Sequence, residues 1–143
     1  MAIKQISIFL ENKQGTLVKI TQTFTDLKVN LRAMSLADST DFGIARIIVD
    51  NPEEFSDELT KKDYIVKINE VLAIEIPDEV GSLNKILRLL AENDRNVEYM
   101  YGFTGKKTGS AYMIMRTTDV EKAQSVLKSN GIRVLEQKEL QEI

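Results

Sequence analysis

Apolar and polar residues alternate from Ile6 through Ile8 to Leu10, the period of a strand with one buried face, and the pattern returns at Leu72, Ile74 and Ile76. Each run enters a polar turn that ends in glycine. A spacing of three and four follows: Leu17, Ile20, Phe24 and Leu27 in one case, Leu83, Ile86, Leu87 and Leu90 in the other. That spacing places each set on one face of a helix. Two further strands are predicted after each helix. The first pair runs from Asn30 to about Ala37 and from Phe42 to Asp50, joined through Asp38-Ser39-Thr40-Asp41. The second pair runs from Asn96 to Phe103 and from Gly109 to Thr117, joined through Thr104 to Thr108.

A second helix is signalled in each half. Asn51-Pro52-Glu53-Glu54 offers an N-cap, a proline at the first helical position and acids at the positive end of the helix dipole. Thr118-Asp119-Val120-Glu121 has the spacing of a capping box, and Gly131 after Asn130 suits a helix stop. Short strands close the halves at Tyr64 to Ile68 and Ile132 to Leu135.

The halves are copies of one unit. Gly15 and Gly81 are 66 positions apart, and at that offset Ile8, Leu17, Lys19, Ile20, Asn30, Met34, Gly43, Ala45 and Ile48 meet identical residues. Shared amphipathicity explains matched isoleucines but not matched glycines and asparagines, so duplication is the better account. The predicted fold class is therefore α+β, two ferredoxin-like βαββαβ plaits in tandem, with antiparallel sheets and helices on one face. The repeats are placed at residues 1–68 and 69–143. Lys67-Ile68-Asn69-Glu70 between them has no Gly/Ser-rich flexibility, which predicts that the halves pack against each other.

Composition narrows the chemistry. The 143 residues are 43% apolar, enough for folded cores, and contain no cysteine and no histidine. Disulfides, thiolate nucleophiles, imidazole bases and the usual zinc and copper sites are excluded. A net charge of −3 disfavours nucleic acid, and no apolar run approaches a membrane span. A cytoplasmic protein is expected, without cofactor or metal.

No catalytic set emerges from the residues that remain. Gly105-Lys106-Lys107-Thr108 ends like a phosphate-binding loop, but lacks the first glycine and lies between strands. Tyr99, Tyr101 and Phe103 form a period-2 aromatic stripe, which in an acidic protein reads as an interface or core face before a base-stacking platform. The duplicated polar turn is more informative. It ends in Gly15 or Gly81 directly before a helix N-terminus, where unpaired N–H groups favour a carboxylate. The Asn12 side-chain oxygen, or the Asp78 carboxylate, accepts from an ammonium, and Asn30 or Asn96 opens the following strand. These groups suit a free α-amino acid, and they equally suit asparagines that merely occupy turns.

The run Leu10-Glu11-Asn12-Lys13-Gln14-Gly15-Thr16-Leu17, a helix, then Val29-Asn30-Leu31 resembles the signature of ACT domains, the small-molecule regulatory modules of amino-acid metabolism. It is most similar to the serine-sensing ACT module of D-3-phosphoglycerate dehydrogenase, where asparagines matching Asn12 and Asn30 hold the effector. Gln14 and Val80 stand where the family usually has proline, and Leu10 where the serine sensor has histidine, which speaks against serine. The resemblance implies a non-catalytic regulatory protein that binds a free amino acid where ACT units meet. The implied ligand-binding set is Glu11, Asn12, Gln14, Gly15, Thr16, Leu17, Asn30, Leu31 and Met34, with Asp78, Gly81 and Asn96 in the second copy. It also implies a homodimer and a metabolic enzyme as regulated partner. The alternative is a structural dimerisation module without ligand.

Overall fold

The computed structural model describes residues 2–38 and 40–143. The chain forms β1 (Ile3–Glu11), α1 (Thr16–Asp26), β2 (Leu31–Asp38), β3 (Phe42–Val49), α2 (Pro52–Lys61) and β4 (Ile65–Pro77). It continues through α3 (Ser82–Glu92), β5 (Val97–Phe103), β6 (Ser110–Thr117), α4 (Val120–Ser129), β7 (Arg133–Leu135) and a 3-10 helix at Gln137–Gln141. This is the βαββαβ order, twice. Two compact units divide the chain: residues 4–69, and residues 70–143 together with Ala2 and Ile3.

In the first unit the strand order is β2-β3-β1-β4, with β1 antiparallel to β3 (Ile8 opposite Ala45, Glu11 opposite Phe42). Ile6, Ile8 and Leu10 share one face with Ala45, Ile47 and Val49, and there they meet Ile20 and Phe24 of α1 and Phe55 and Leu59 of α2. Phe24 and Phe55 tie the two helices edge to face, with ring centroids 5.3 Å apart. The second unit repeats the arrangement in the order β7-β4-β6-β5. Its core gathers Leu72, Ile74, Ile76 and Met115 from the sheet with Ile86, Leu90, Ala123 and Leu127 from the helices.

Three details differ from the sequence reading. The strand expected from Tyr64 to Ile68 and the one expected around Leu72 are a single strand of 13 residues, because alternation persists through Lys67 and Asn69 without a glycine or proline to break it. The N-cap of α4 is Asp119, whose carboxylate accepts from the Lys122 N–H at 3.2 Å, and Thr118 is left to bond elsewhere. A capping box does form, further on, where Glu136 and Glu139 cap the 3-10 helix. Within the predicted turn Asp38 to Asp41, Ser39 lies outside the described residues.

Candidate functional site

The β1–α1 loop takes its shape from glycine. Gly15 caps α1 at φ 88° and Gly81 caps α3 at φ 90°, both in the left-handed region that a side chain disfavours. No atom lies within 4 Å of where a Cβ would stand at either glycine, so the backbone is open to an approaching group. Neither helix has a side-chain cap, and neither has an acid in its first turn. The positive ends of both dipoles are therefore left for an external acceptor. The loop is anchored at its base: the Asn12 N–H donates to the Asp41 carbonyl at 2.9 Å, and the Asp78 N–H to the Gly109 carbonyl at 2.9 Å.

A hollow of about 80 Å³ opens at the first loop. The expected residues Glu11, Asn12, Thr16 and Leu17 line it, while Gln14 and Gly15 form the turn beside it. Leu10, Lys13, Leu36, Asp38 and Gly43 complete the lining. The last three are brought in by strand register, since Gly43 lies opposite both Leu10 and Asp38. Register is not visible in a local motif. Glu11 and Lys13 pair at 2.8 Å, which holds the Glu11 carboxyl below its usual range and raises the Lys13 ammonium. The Asp38 carboxylate has no hydrogen-bond or ion-pair partner among the described residues and is an acceptor left for an ammonium.

Asn30 and Leu31 do not join this hollow within their own unit. Leu31 pairs with Val49 at one end of β3, whereas Glu11 pairs with Phe42 at the other. At about 3.3 Å per residue the two ends are roughly 20 Å apart. Met34 points its side chain into the helix-covered core, and Leu36, two residues on, takes the place expected of it in the wall. In the second unit Asp78 and Gly81 are likewise remote from Asn96, which immediately precedes β5 and exchanges hydrogen bonds with Thr118: its N–H donates to Oγ1 and its carbonyl accepts from the Thr118 N–H, both at 3.0 Å.

Residues 1–143 match the family model of the ACT domain pair. The chain belongs to that family. A solved structure, protein BT0572 from Bacteroides thetaiotaomicron, is 34% identical and superposes with a TM-score of 0.92 over 100% of this chain and 98% of that one. The regulatory subunit of aspartate kinase from Thermus thermophilus, in its ligand-free form, shares the fold at 13% identity and a TM-score of 0.61, over 90% of this chain and 93% of its own. Aspartokinase alpha and beta subunits share it at 15% identity and 0.59, over 88% and 90%. No curated protein gives a significant match. The fold is thus the tandem ACT arrangement that the duplicated glycine turns implied. Among the described residues, no group of three or more acids is placed to hold a metal, and no helix is long and apolar enough to cross a membrane.

Proposed function

We propose that this ACT domain pair is a non-catalytic regulatory protein that binds a free amino acid at the β1–α1 loop. The observation that carries the reading is the hollow beside Gly15, lined by Thr16 and Leu17 at the start of a helix without a side-chain cap, by Asn12 and by Asp38. The N–H groups suit the ligand's carboxylate and Asp38 its ammonium, while Leu10, Leu17 and Leu36 give its side chain an apolar wall. Asn30 lies at the far end of its own unit. A ligand held by both asparagines therefore takes Asn30 from another ACT unit, which makes a homodimer part of the proposal. Coupling between such a site and a regulated enzyme is on the order of 1–3 kcal/mol.

The test is a thermal-shift screen of the twenty amino acids followed by calorimetry on Asn12→Ala, Asp38→Asn and Asn30→Ala. Binding lost in all three supports the site; full binding in all three removes it. Light scattering with and without ligand separates this reading from a dimerisation module, whose assembly is indifferent to any amino acid.

A further inference from the structure

Helices α1, α2, α3 and α4 all stop in the same way. A capping residue is followed by one residue in the left-handed region: Lys28 at φ 56°, Asp63 at 66°, Asp94 at 57° and Gly131 at 76°. The first three carry a side chain there, so the conformation alone does not require glycine at 131. What the glycine changes is chemistry. Asn130 is the one asparagine of the chain that precedes a glycine.

A glycine nitrogen has no neighbouring Cβ to hinder its approach, and asparagine is a thermolabile residue, so this pair can cyclise. The Gly131 nitrogen gives up its proton to solvent and bonds to Asn130 Cγ. The Cγ–Nδ2 bond breaks, and the side-chain nitrogen leaves as ammonia. Water then opens the resulting succinimide at one of its two carbonyls. Opening at Cγ leaves aspartate in a normal backbone. Opening at the α-carbonyl leaves isoaspartate, with the backbone routed through Cβ and Cγ.

The folded chain restrains both reacting groups. Asn130 Nδ2 donates to the Val126 carbonyl at 2.8 Å, which draws the carboxamide back along α4. The Gly131 N–H donates to the Lys128 carbonyl at 3.1 Å, and the Asn130 and Ile132 N–H groups donate to the Leu127 carbonyl at 3.2 and 3.0 Å. Both residues of the pair are exposed, so solvent reaches them as soon as these bonds open. Asn93 at the end of α3 is an internal control. Its Nδ2 donates to the Leu89 carbonyl at 2.9 Å in the same turn, but the next residue is Asp94.

We propose that Asn130 is a site of spontaneous deamidation, restrained by the C-terminal turn of α4, and that its products weaken that turn. Either product places a carboxylate at the negative end of the α4 dipole. Isoaspartate also adds a methylene to the backbone ahead of Gly131, so the Gly131 and Ile132 N–H groups no longer both reach their carbonyls. Ile132 packs against the second core and leads into β7, where Arg133 pairs with Glu75. The modification therefore loosens the corner between α4 and β7.

The test ages the full chain at mildly alkaline pH, folded and in urea, and maps the products by mass spectrometry. In urea Asn130 should convert ahead of Asn93. In the folded chain Asn130 should still convert, but at least about tenfold more slowly, because the reaction waits for local opening. Ile132→Ala loosens the corner and should speed the folded reaction by about threefold or more, in step with hydrogen exchange at the Gly131 amide, with no change in urea. Gly131→Asp reproduces the Asn93–Asp94 pair and should lower the rate in urea to that of Asn93. Aged chains, separated from fresh ones by ion exchange, should unfold at lower urea. Equal rates in the folded and unfolded chains overturn the proposal, as does a folded chain without product at Asn130. Conversion of Asn93 first, or aged chains as stable as fresh ones, also overturns it.

Discussion

Arg32 grips Asp50 through two parallel hydrogen bonds, Nε to Oδ1 at 2.9 Å and Nη2 to Oδ2 at 3.1 Å, and the second unit ties its edge strand with an ion pair made at a different position. There Glu98 accepts from Arg116 Nε at 3.3 Å. Arg32 and Glu98 are equivalent at the 66-residue offset, but their partners are not: Ala33 lies opposite Ile48 and its counterpart Tyr99 opposite Arg116, so Arg116 holds the place of Ile48. Each edge-strand member sits at a register shift, between Leu31 and Ala33 or between Val97 and Tyr99. A bulge re-aims one side chain from an edge strand, and both repeats use that residue to tie the edge to the neighbouring strand. Only the edge-strand position is shared between the repeats; each finds its partner at a different position beside it.

Reversal of one member tests the pair of Arg32 and Asp50. Arg32→Glu places two acids together at a half-buried site and should cost roughly 1 kcal/mol in urea unfolding. The double exchange Arg32→Glu with Asp50→Arg restores opposite charges and should recover most of that loss. A double variant as unstable as the single one would show that the pair contributes nothing through its charge.

The β1–α1 turns demand glycine for conformation and not for space. Gly15 and Gly81 have φ of 88° and 90° with open surroundings, so alanine meets no atom and pays only backbone strain. Gly15→Ala and Gly81→Ala should each lower stability by about 1–2 kcal/mol. The two losses should add, because the turns lie in separate units. Thermal denaturation of both single variants and the double variant checks this.

Much of this architecture was legible. The glycine turns, the alternation at Ile6, Ile8 and Leu10 and the helical faces at Ile20 and Phe24 are local patterns, and the structure has them where the spacing puts them. Leu17 has the spacing of the buried helical face but is 39% exposed, because it lines the loop hollow instead of joining the core. The separation of Asn12 from Asn30 follows from the crossover itself: a helix between two parallel strands returns the chain to the end where it started. The 3-10 helix at Gln137–Gln141 is too short to show a period. Long-range charge clusters leave no local trace at all.

The clearest such cluster surrounds Glu75. Its carboxylate is buried in β4, accepts from Ser110 Oγ at 2.8 Å, and is paired with Lys107 at 2.9 Å and with Arg133. These partners, Lys107 foremost, outweigh burial and lower its pKa to about 2. In the unfolded chain a glutamate titrates near 4.3, so the folded state binds this proton less readily. The stabilisation is complete above that value and is lost as pH falls through about 2. Between about pH 5 and pH 2 the wild type should lose stability more steeply than Glu75→Gln, which lacks this titration and should be roughly 2 kcal/mol less stable at pH 7. Parallel acid slopes for the two proteins would remove Glu75 as the cause.

The proposed loop site makes a stricter prediction about assembly. If a ligand is held by Asn12 of one copy and Asn30 of another, Asn12→Ala and Asn30→Ala each damage every site in their own homodimer. A mixed dimer behaves differently. Two-fold symmetry pairs position 12 of each copy with position 30 of the other, so one of its two sites collects both alanines and the other both asparagines. Equal amounts of the two variants, unfolded and refolded together, should regain about one quarter of the wild-type sites when random pairing makes half the dimers mixed. Calorimetry reads that stoichiometry directly, and the recovered sites should bind with wild-type affinity. Recovery of none, with mixed dimers demonstrated by mass spectrometry, would show that the two asparagines do not act across copies of the chain.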